Sequence, residues 1–185
     1  MSERAFVVAV LGAESTGKTT LVGELAAKLA ARGERVVAVA EALREFCAER
    51  ARTPRRDEQA GIARMQSERI AMAATDADIV IADTSALMVA VYSELVFADA
   101  SLYASALEDA QRIDLALVTA LDIPWHADGL QRDGAHVREP VDVLLRAALD
   151  RAGIASTTIG GTGPARLASA LRAIDAARAG STKHA

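Results

Sequence analysis

A glycine-rich stretch with a lysine and a threonine lies near the start of the chain. Residues 12–19 read Gly-Ala-Glu-Ser-Thr-Gly-Lys-Thr and match the pattern G-x-x-x-x-G-K-[ST]. The glycines let the backbone curl so that several N–H groups point at phosphate oxygens, and the following helix N-terminus adds partial positive charge. Lys18 would reach the β- and γ-phosphates of a nucleotide, and the Thr19 hydroxyl would ligate Mg²⁺. We therefore predict a site for ATP and Mg²⁺ formed by Gly12, Glu14, Ser15, Thr16, Gly17, Lys18, Thr19 and Thr20.

Two carboxylates follow apolar runs that predict strands. Asp83 comes directly after residues 78–82, and Glu41 follows residues 35–40. Ligands of open α/β sheets bind at the carboxyl ends of strands, so both side chains are candidates for chemistry. Asp83 could hold Mg²⁺ through water or accept a proton, or it could cap the next helix. Glu41 could deprotonate a substrate hydroxyl facing the γ-phosphate, or it could be a first-turn acid favoured by the helix dipole.

Further candidates come from an arginine beside Glu41 and from a loop without periodicity. Arg44 lies on the same helix face as Glu41 and could bind the substrate or form a surface ion pair. Residues 125–138 carry two glycines and several charges, which predicts a lid that is mobile without ligand and closes over the site. Arg132 and Arg138 are the candidates there for a catalytic arginine, or they could be solvated surface charges. Trp125 could stack on an aromatic substrate ring or pack under the lid.

The composition excludes several classes of protein. The net charge of −4 and the aromatic content of 3% argue against a nucleic-acid binder that uses a basic surface or base stacking. The single cysteine, Cys47, excludes an internal disulfide and a multi-cysteine zinc site. No apolar run approaches the roughly 20 residues of a membrane span, and no signal-peptide pattern begins the chain. We therefore expect a cytoplasmic protein.

The order of apolar runs and amphipathic segments predicts the fold class. Five short apolar runs predict strands at residues 5–11, 35–40, 78–82, 115–121 and 156–159. Helical spacing predicts helices at 18–31, 41–50, 57–75, 86–110 with a break near Asp99, 140–152 and 164–177. Because strands that are apolar on both faces alternate with helices, the chain is expected to be α/β with a covered parallel sheet. We predict one domain over residues 1–180 and a disordered tail at 181–185.

Four of these segments together resemble one family. They are residues 11–21 (LGAESTGKTTL), 41–46 (EALREF), the pair Asp83-Thr84, and 124–130 (PWHADGL). Their order and spacing resemble the ribosylnicotinamide kinase domain of the bifunctional bacterial NAD-salvage protein and its stand-alone AAA-type P-loop relatives. The resemblance covers about residues 5–175, and the second and fourth segments make it specific, since the first is found in many P-loop proteins.

The resemblance implies a P-loop NTPase fold, in which a five-stranded parallel sheet of order 2-3-1-4-5 carries helices on both faces and a lid loop. It also implies ATP with Mg²⁺ as phosphoryl donor and the 5′-hydroxyl of nicotinamide riboside as acceptor. Carried onto this chain, residues 12–20 would cradle ATP, while Glu41, Arg44 and Asp83 would face the acceptor. Asp128 and the arginines after it would belong to the lid.

Two departures from the family pattern concern the acceptor. Gln131 follows Asp-Gly-Leu where the family usually has arginine, and Ala42 stands where tyrosine usually follows the glutamate. We predict an ATP-dependent small-molecule kinase that converts nicotinamide riboside to nicotinamide mononucleotide. The alternatives are a kinase for another nucleoside or small metabolite, or an ATP-binding regulatory ATPase module. The expected partner is a nucleoside-like small molecule, with neither nucleic acid nor membrane involved; the oligomeric state stays open.

Overall fold

The computed structural model describes residues 4–126 and 134–181. Within these ranges the chain forms five strands: β1 Phe6–Leu11, β2 Val36–Val39, β3 Ile79–Asp83, β4 Leu115–Thr119 and β5 Ser156–Ile159. The same ranges contain seven α-helices: α1 Lys18–Ala30, α2 Ala42–Arg50, α3 Gln59–Ala73, α4 Ala86–Phe97, α5 Tyr103–Ala110, α6 Arg138–Ala152 and α7 Gly163–Ser181. Short 3-10 turns, Arg56–Glu58 and Ala135–Val137, precede α3 and α6.

The strands form one parallel sheet in the order β2-β3-β1-β4-β5, which confirms the predicted topology. The central strand β1 pairs with β3, where Val10 lies opposite Asp83, and with β4, where Leu11 lies opposite Val118. Since all strands run in the same direction, the loop after β1, Glu41 after β2 and Asp83 at the end of β3 meet at one edge of the sheet.

Helices cover both faces of the sheet, as predicted. Side chains of β1 alternate between the faces, with Val8 and Val10 on one and Val7 and Leu11 on the other. Apolar side chains of α1 and α7 pack on the first face, and those of α3 to α6 pack on the second. Because both faces are buried, β1, β3 and β4 are almost continuously apolar instead of alternating with polar residues.

The helix boundaries follow the sequence prediction to within a few residues, and the clearest differences are the start of α6 and the end of α7. The predicted break near Asp99 separates α4 from α5, since Ala98 ends α4 with a φ of +51°. The predicted loop 125–138 is wrong at its end, because residues 135–137 form a 3-10 turn and Arg138 begins α6. Residues 182–185 of the predicted tail lie outside the described residues, whereas Ser181 is the last residue of α7. In the described ranges, none of the helices combines the length and apolarity that a membrane crossing requires.

Candidate active site

The phosphate-binding pattern forms the loop between β1 and α1. Gly12 has a φ of +142° and Gly17, directly before α1, has a φ of +72°, conformations that favour glycine. Lys18 is the first residue of α1, and its Nζ donates a hydrogen bond to the carbonyl oxygen of Ala13 at 2.8 Å. The first N–H groups of α1 have no acceptor within the helix, so they can donate to phosphate oxygens.

A threonine from the neighbouring strand holds this loop in shape. The Thr119 hydroxyl, at the end of β4, donates to the carbonyl oxygen of Leu11 at 3.1 Å. It also accepts from the Thr16 hydroxyl at 2.7 Å, and the single proton of that hydroxyl is shared with the carbonyl oxygen of Ala13 at 2.8 Å. Both threonines are fully buried. The sequence analysis missed Thr119, for which the only signal is a polar residue ending the apolar run LALVT.

Gly12 cannot carry a side chain in this arrangement. A Cβ atom there would lie 2.1 Å from Thr119 Oγ1, at a φ that side chains rarely adopt. We expect Gly12→Ala to lower the free energy of unfolding by about 1–3 kcal/mol or more, since overpacking usually costs this much. The variant should also weaken ATP binding, since the loop must shift to relieve the overlap. Urea unfolding and nucleotide titration measure the two effects.

Gly23→Ala is the matched control for that experiment. Gly23 lies inside α1, and a Cβ atom there would meet nothing within 4 Å. Because alanine is a better helix former than glycine, this variant should gain about 0.5–1 kcal/mol and bind ATP normally. A Gly12→Ala protein as stable as the Gly23→Ala protein would contradict the packing argument.

Asp83 and Thr19 form a hydrogen-bonded pair of oxygen-bearing side chains beside the loop. The Thr19 hydroxyl donates to Asp83 Oδ2 at 2.5 Å, and Asp83 is 3% exposed. Among the described residues, Asp83 Oδ1 has no hydrogen-bond partner, and Ser85 rather than Asp83 precedes the first residue of α4. Thr84 has a φ of +73°, a costly conformation for a β-branched residue that is tolerated mainly at functional sites.

These oxygens fit a magnesium ion. Mg²⁺ is a hard cation that prefers oxygen ligands and usually keeps several waters or phosphate oxygens in its shell. Within the described residues no cluster of three or more histidine, cysteine or carboxylate side chains could enclose a metal. Thr19 and Asp83 would therefore hold the ion from one side only and leave its other positions to the nucleotide and water.

Glu41 and Lys18 line the same cavity and interact electrostatically. Glu41 precedes the first residue of α2, yet its side chain makes no capping hydrogen bond and is 12% exposed. Arg44 Nε donates to Glu41 Oε2 at 3.4 Å. Burial raises the pKa of Glu41, and the Asp83 charge adds to this shift while Lys18 opposes it. Desolvation likewise lowers the pKa of Lys18, and the charges of Glu41 and Asp83 counteract it.

One buried glutamine of α3 positions both acidic residues. Gln66 Oε1 accepts a hydrogen bond from the backbone N–H of Ala42 at 2.8 Å, and Gln66 Nε2 donates to the carbonyl oxygen of Asp83 at 3.4 Å. The start of α2, which follows Glu41, is thereby linked to the end of β3. The sequence analysis missed Gln66, because a glutamine within a helix carries no signal of this kind.

A cavity of about 730 Å³ lies beside the loop, bounded by α2, α3 and α4. All eight predicted cofactor-binding residues line it, and so do Glu41 and Arg44. Other residues that line it, among them Gln59, Tyr92 and Phe97, were not predicted from the sequence. The cavity therefore extends from the phosphate loop well beyond the space that phosphates need. Glu41, the candidate general base, lines the same cavity as several apolar side chains.

Trp125 lies on the phosphate-loop side of the site. Its Nε1 donates to Glu14 Oε1 at 3.1 Å, and it is not among the residues that line the cavity. Ser15 Oγ donates to the carbonyl oxygen of His126 at 2.9 Å and accepts from the His126 N–H at 3.0 Å. The segment after β4 is therefore attached to the phosphate loop. Asp128 and Arg132, the other predicted lid residues, lie outside the described residues.

Arg138 is buried in the first turn of α6. It is 8% exposed, so the alternative of a solvated surface charge is wrong. Its Nε and Nη2 atoms find no hydrogen-bond acceptor in the described part of the chain, and the residue does not line the cavity. A buried guanidinium with two unused donors can receive an anion.

Arg166 of α7 supports the phosphate loop from behind. Its Nη2 donates to the carbonyl oxygen of Thr16 at 2.7 Å, and it is 5% exposed. A Cβ atom on Gly17 would lie 2.9 Å from Arg166 Nη1, so the guanidinium would have to shift, and the φ of +72° itself favours glycine. The sequence analysis missed Arg166, since it lies 150 residues from its partner along the chain.

The glycine loop after a buried strand, the Thr19–Asp83 hydrogen bond and the sheet order define the P-loop NTPase fold. The chain belongs to the AAA domain family, whose sequence model matches residues 7–166. This finding confirms the resemblance stated from the sequence motifs. No curated protein sequence matches the chain.

The solved structures that share the fold include the following three. NadR protein in complex with NR is 22% identical with a TM-score of 0.74, covering 92% of this chain and 50% of that chain. NadR protein in complex with NAD and AMP-PNP is 23% identical with a TM-score of 0.71, covering 92% and 48%. Thymidylate kinase from Ehrlichia chaffeensis is 14% identical with a TM-score of 0.64, covering 93% and 100%. The present chain therefore spans about half the length of the NadR chains.

Proposed function

We propose that this protein is an ATP- and Mg²⁺-dependent phosphotransferase that phosphorylates the 5′-hydroxyl of nicotinamide riboside to give nicotinamide mononucleotide. The observation that carries the proposal is the joint placement of Lys18 and Glu41 on one cavity with room for an acceptor. The complexes of NadR with NR and with AMP-PNP, an ATP analogue, support this choice of acceptor and donor.

In this proposal the loop binds the phosphates of ATP through its backbone N–H groups, and Lys18 neutralises charge at the β–γ bridge. Lys18 Nζ exchanges the Ala13 carbonyl oxygen for phosphate oxygens when ATP binds. Thr19 and Asp83 would hold Mg²⁺, which when bound would neutralise further charge on the phosphates. Arg138, with two unused donors, and Arg132 are proposed to stabilise the transferring group.

Glu41 is the proposed general base. Its carboxylate takes the proton of the acceptor hydroxyl as the bond from that oxygen to the γ-phosphorus forms and the bond to the leaving ADP breaks. Burial raises the pKa of Glu41, which makes it a stronger base than an exposed carboxylate. Arg44, hydrogen-bonded to Glu41 and on the cavity wall, is proposed to orient the acceptor, and Asp128 to act in the lid.

A screen of nucleosides with ATP and Mg²⁺, followed by mass spectrometry of the products, tests the proposal. We expect nicotinamide riboside to gain one phosphoryl group and to give the highest kcat/KM. If only another nucleoside is phosphorylated, the proposed acceptor is wrong, whereas the proposed reaction class, phosphoryl transfer from ATP, is correct. ATP hydrolysis without any phosphorylated product would favour the regulatory ATPase, which has no use for the acceptor side of the cavity.

Trp125 provides a test of the acceptor's charge, because it is the chain's only tryptophan. If lid closure brings the indole against the pyridinium ring, the contact is worth roughly 1–2 kcal/mol when desolvated. Nicotinamide riboside should then quench Trp125 fluorescence more strongly than uncharged uridine. Trp125→Ala should raise the KM for nicotinamide riboside about tenfold.

Trp125→Phe is the matched variant, since it keeps a ring and removes the N–H that donates to Glu14. We expect it to retain most of the affinity for nicotinamide riboside if the ring stacks. Should quenching and KM prove indifferent to the acceptor's charge, Trp125 serves only to attach its segment to the phosphate loop.

A further inference from the structure

Gln59 is a buried polar side chain on the cavity wall that the proposed mechanism does not use. It is the first residue of α3, it is 5% exposed, and it lines the cavity. Its Oε1 has no hydrogen-bond partner among the described residues. Because a buried amide oxygen without a partner costs free energy, native proteins rarely keep one unless something else satisfies it.

A second glutamine on the same helix shows the contrast. Gln66 follows Gln59 by two helical turns, so both lie on the same face of α3. Gln66 uses both ends of its amide within the protein, toward Ala42 and Asp83. Gln59 Oε1 is buried without a partner in the described part of the chain, and the residue lines the cavity. The two side chains therefore differ: Gln66 links two parts of the site, whereas the amide oxygen of Gln59 has no partner within the described residues.

The segment before Gln59 is firmly held in place. The Glu58 carboxylate accepts two hydrogen bonds from Arg52, both at 2.7 Å, and one from the backbone N–H of Arg55 at 2.7 Å. These contacts lower the pKa of Glu58 to about 2, so the carboxylate stays charged at neutral pH. Arg56 Nε donates to Asp99 Oδ2 at 2.7 Å, which ties the start of α3 to the turn after α4.

The surroundings of Gln59 indicate which part of an acceptor it meets. Tyr92 and Phe97 of α4 line the same cavity and offer ring surfaces suited to a flat base. The phosphate loop and Glu41 also line the cavity, and they would take the phosphates and the reacting hydroxyl. A nucleoside-like acceptor with its hydroxyl at Glu41 directs its base away from the loop, toward the remaining wall.

We propose that Gln59 recognises the amide edge of the acceptor's base, an N–H donor beside a carbonyl oxygen. A glutamine amide offers one acceptor and one donor, so it pairs reciprocally with a carboxamide or a base imide. A carboxylate in the same position has no N–H for Oε1 and brings a negative charge against it. The inference rests on the proposed function and adds to it that the site selects amide-bearing over acid-bearing acceptors.

The test compares nicotinamide riboside with nicotinic acid riboside, which differ only in carboxamide against carboxylate. We expect the wild-type protein to favour the amide by at least about tenfold in kcat/KM, the worth of one hydrogen-bonded pair. Gln59→Met keeps the side-chain length without polar atoms, and it should lower kcat/KM for the amide about tenfold through KM. The preference between the two ribosides should then disappear, and the KM for ATP should stay unchanged.

Thermal unfolding of the ligand-free protein separates this role from a structural one. Since Gln59→Met removes an unpaired buried oxygen, its Tm should equal or exceed that of the wild type. Gln111→Met is the matched control: Gln111 Nε2 donates to the carbonyl oxygen of Ala152 at 2.9 Å, away from the cavity. That variant should lose stability and keep the preference between the ribosides.

Two results would overturn the inference about Gln59. One is an unchanged preference in Gln59→Met, which leaves the kinase proposal standing. The other is a different acceptor whose base lacks an N–H donor, identified by the nucleoside screen when neither riboside is phosphorylated; it refutes the proposed acceptor as well. If the true acceptor has a base with an N–H donor beside a carbonyl oxygen, a tenfold loss of kcat/KM in Gln59→Met supports the role of Gln59.

Discussion

Lys18→Ala is expected to abolish phosphoryl transfer while leaving the fold intact. The loss should be on the order of 10² or more in kcat, because the ammonium group is proposed to stabilise charge that develops only in the transition state. The fold should survive because, within the described residues, Lys18 Nζ hydrogen-bonds only to the Ala13 carbonyl oxygen, and the core packs elsewhere. Single-turnover rates at saturating ATP measure the loss, and circular dichroism monitors the fold.

Lys28→Ala is the control for the same substitution in the same helix. Lys28 is exposed in the last turn of α1, away from the loop, so its removal should leave kcat unchanged. Near-normal turnover of the Lys18→Ala protein would refute the phosphate-loop mechanism, whatever the acceptor is.

Glu41→Gln is expected to lower kcat by about 10²–10⁴, the usual contribution of a general base, with ATP affinity nearly unchanged. Asp83→Asn should instead raise the Mg²⁺ concentration needed for activity, since it weakens the oxygen pair with Thr19. Glu45→Gln is the matched control, because Glu45 lies on the same helix and pairs with Arg69 at 2.7 Å outside the cavity. If the phenotypes of Glu41→Gln and Asp83→Asn are reversed, the role assignment is wrong, although the reaction class survives.

The pH dependence of kcat/KM provides an independent test of the role of Glu41 as general base. A general base acts in its deprotonated form, so activity is present above its pKa and is lost as the pH falls through it. Because burial raises this pKa, the loss should occur at a higher pH than the ordinary glutamate value of 4.5 implies. The acidic limb should disappear in the residual activity of the Glu41→Gln protein.

The parts of the site that were predictable are those encoded in short segments. The phosphate loop is one continuous motif, and Glu41 and Asp83 follow directly from the rule that parallel strands bring their carboxyl ends together. The strand order itself came from the resemblance to P-loop kinases, since an apolar strand does not reveal its neighbours in the sheet. For the phosphate loop, Glu41 and Asp83, the local sequence pattern and the tertiary structure therefore lead to the same placement.

The residues that were missed depend on how distant elements dock. Thr119 acts on the loop only because β4 lies beside β1, and Arg166 only because α7 packs behind it. Gln59 and Gln66 face the site because of the rotation of α3 about its own axis as it packs against the sheet. Helical periodicity in the sequence does not specify this rotation. The early start of α6 was missed as well, because its third residue, Pro140, was read as the helix start, although the first turn tolerates proline.

The hydroxyl network of Thr16 and Thr119 has a thermodynamic consequence. Through Leu11 and Ala13 it orders the loop backbone as part of folding, so the conformational entropy is lost before a nucleotide arrives. Calorimetry of nucleotide binding should therefore record little unfavourable entropy from ordering this loop. Because Thr119 links the loop to β4, nucleotide binding should in turn stabilise β4. Bound nucleotide should therefore slow amide hydrogen exchange along β4, well away from the phosphates themselves.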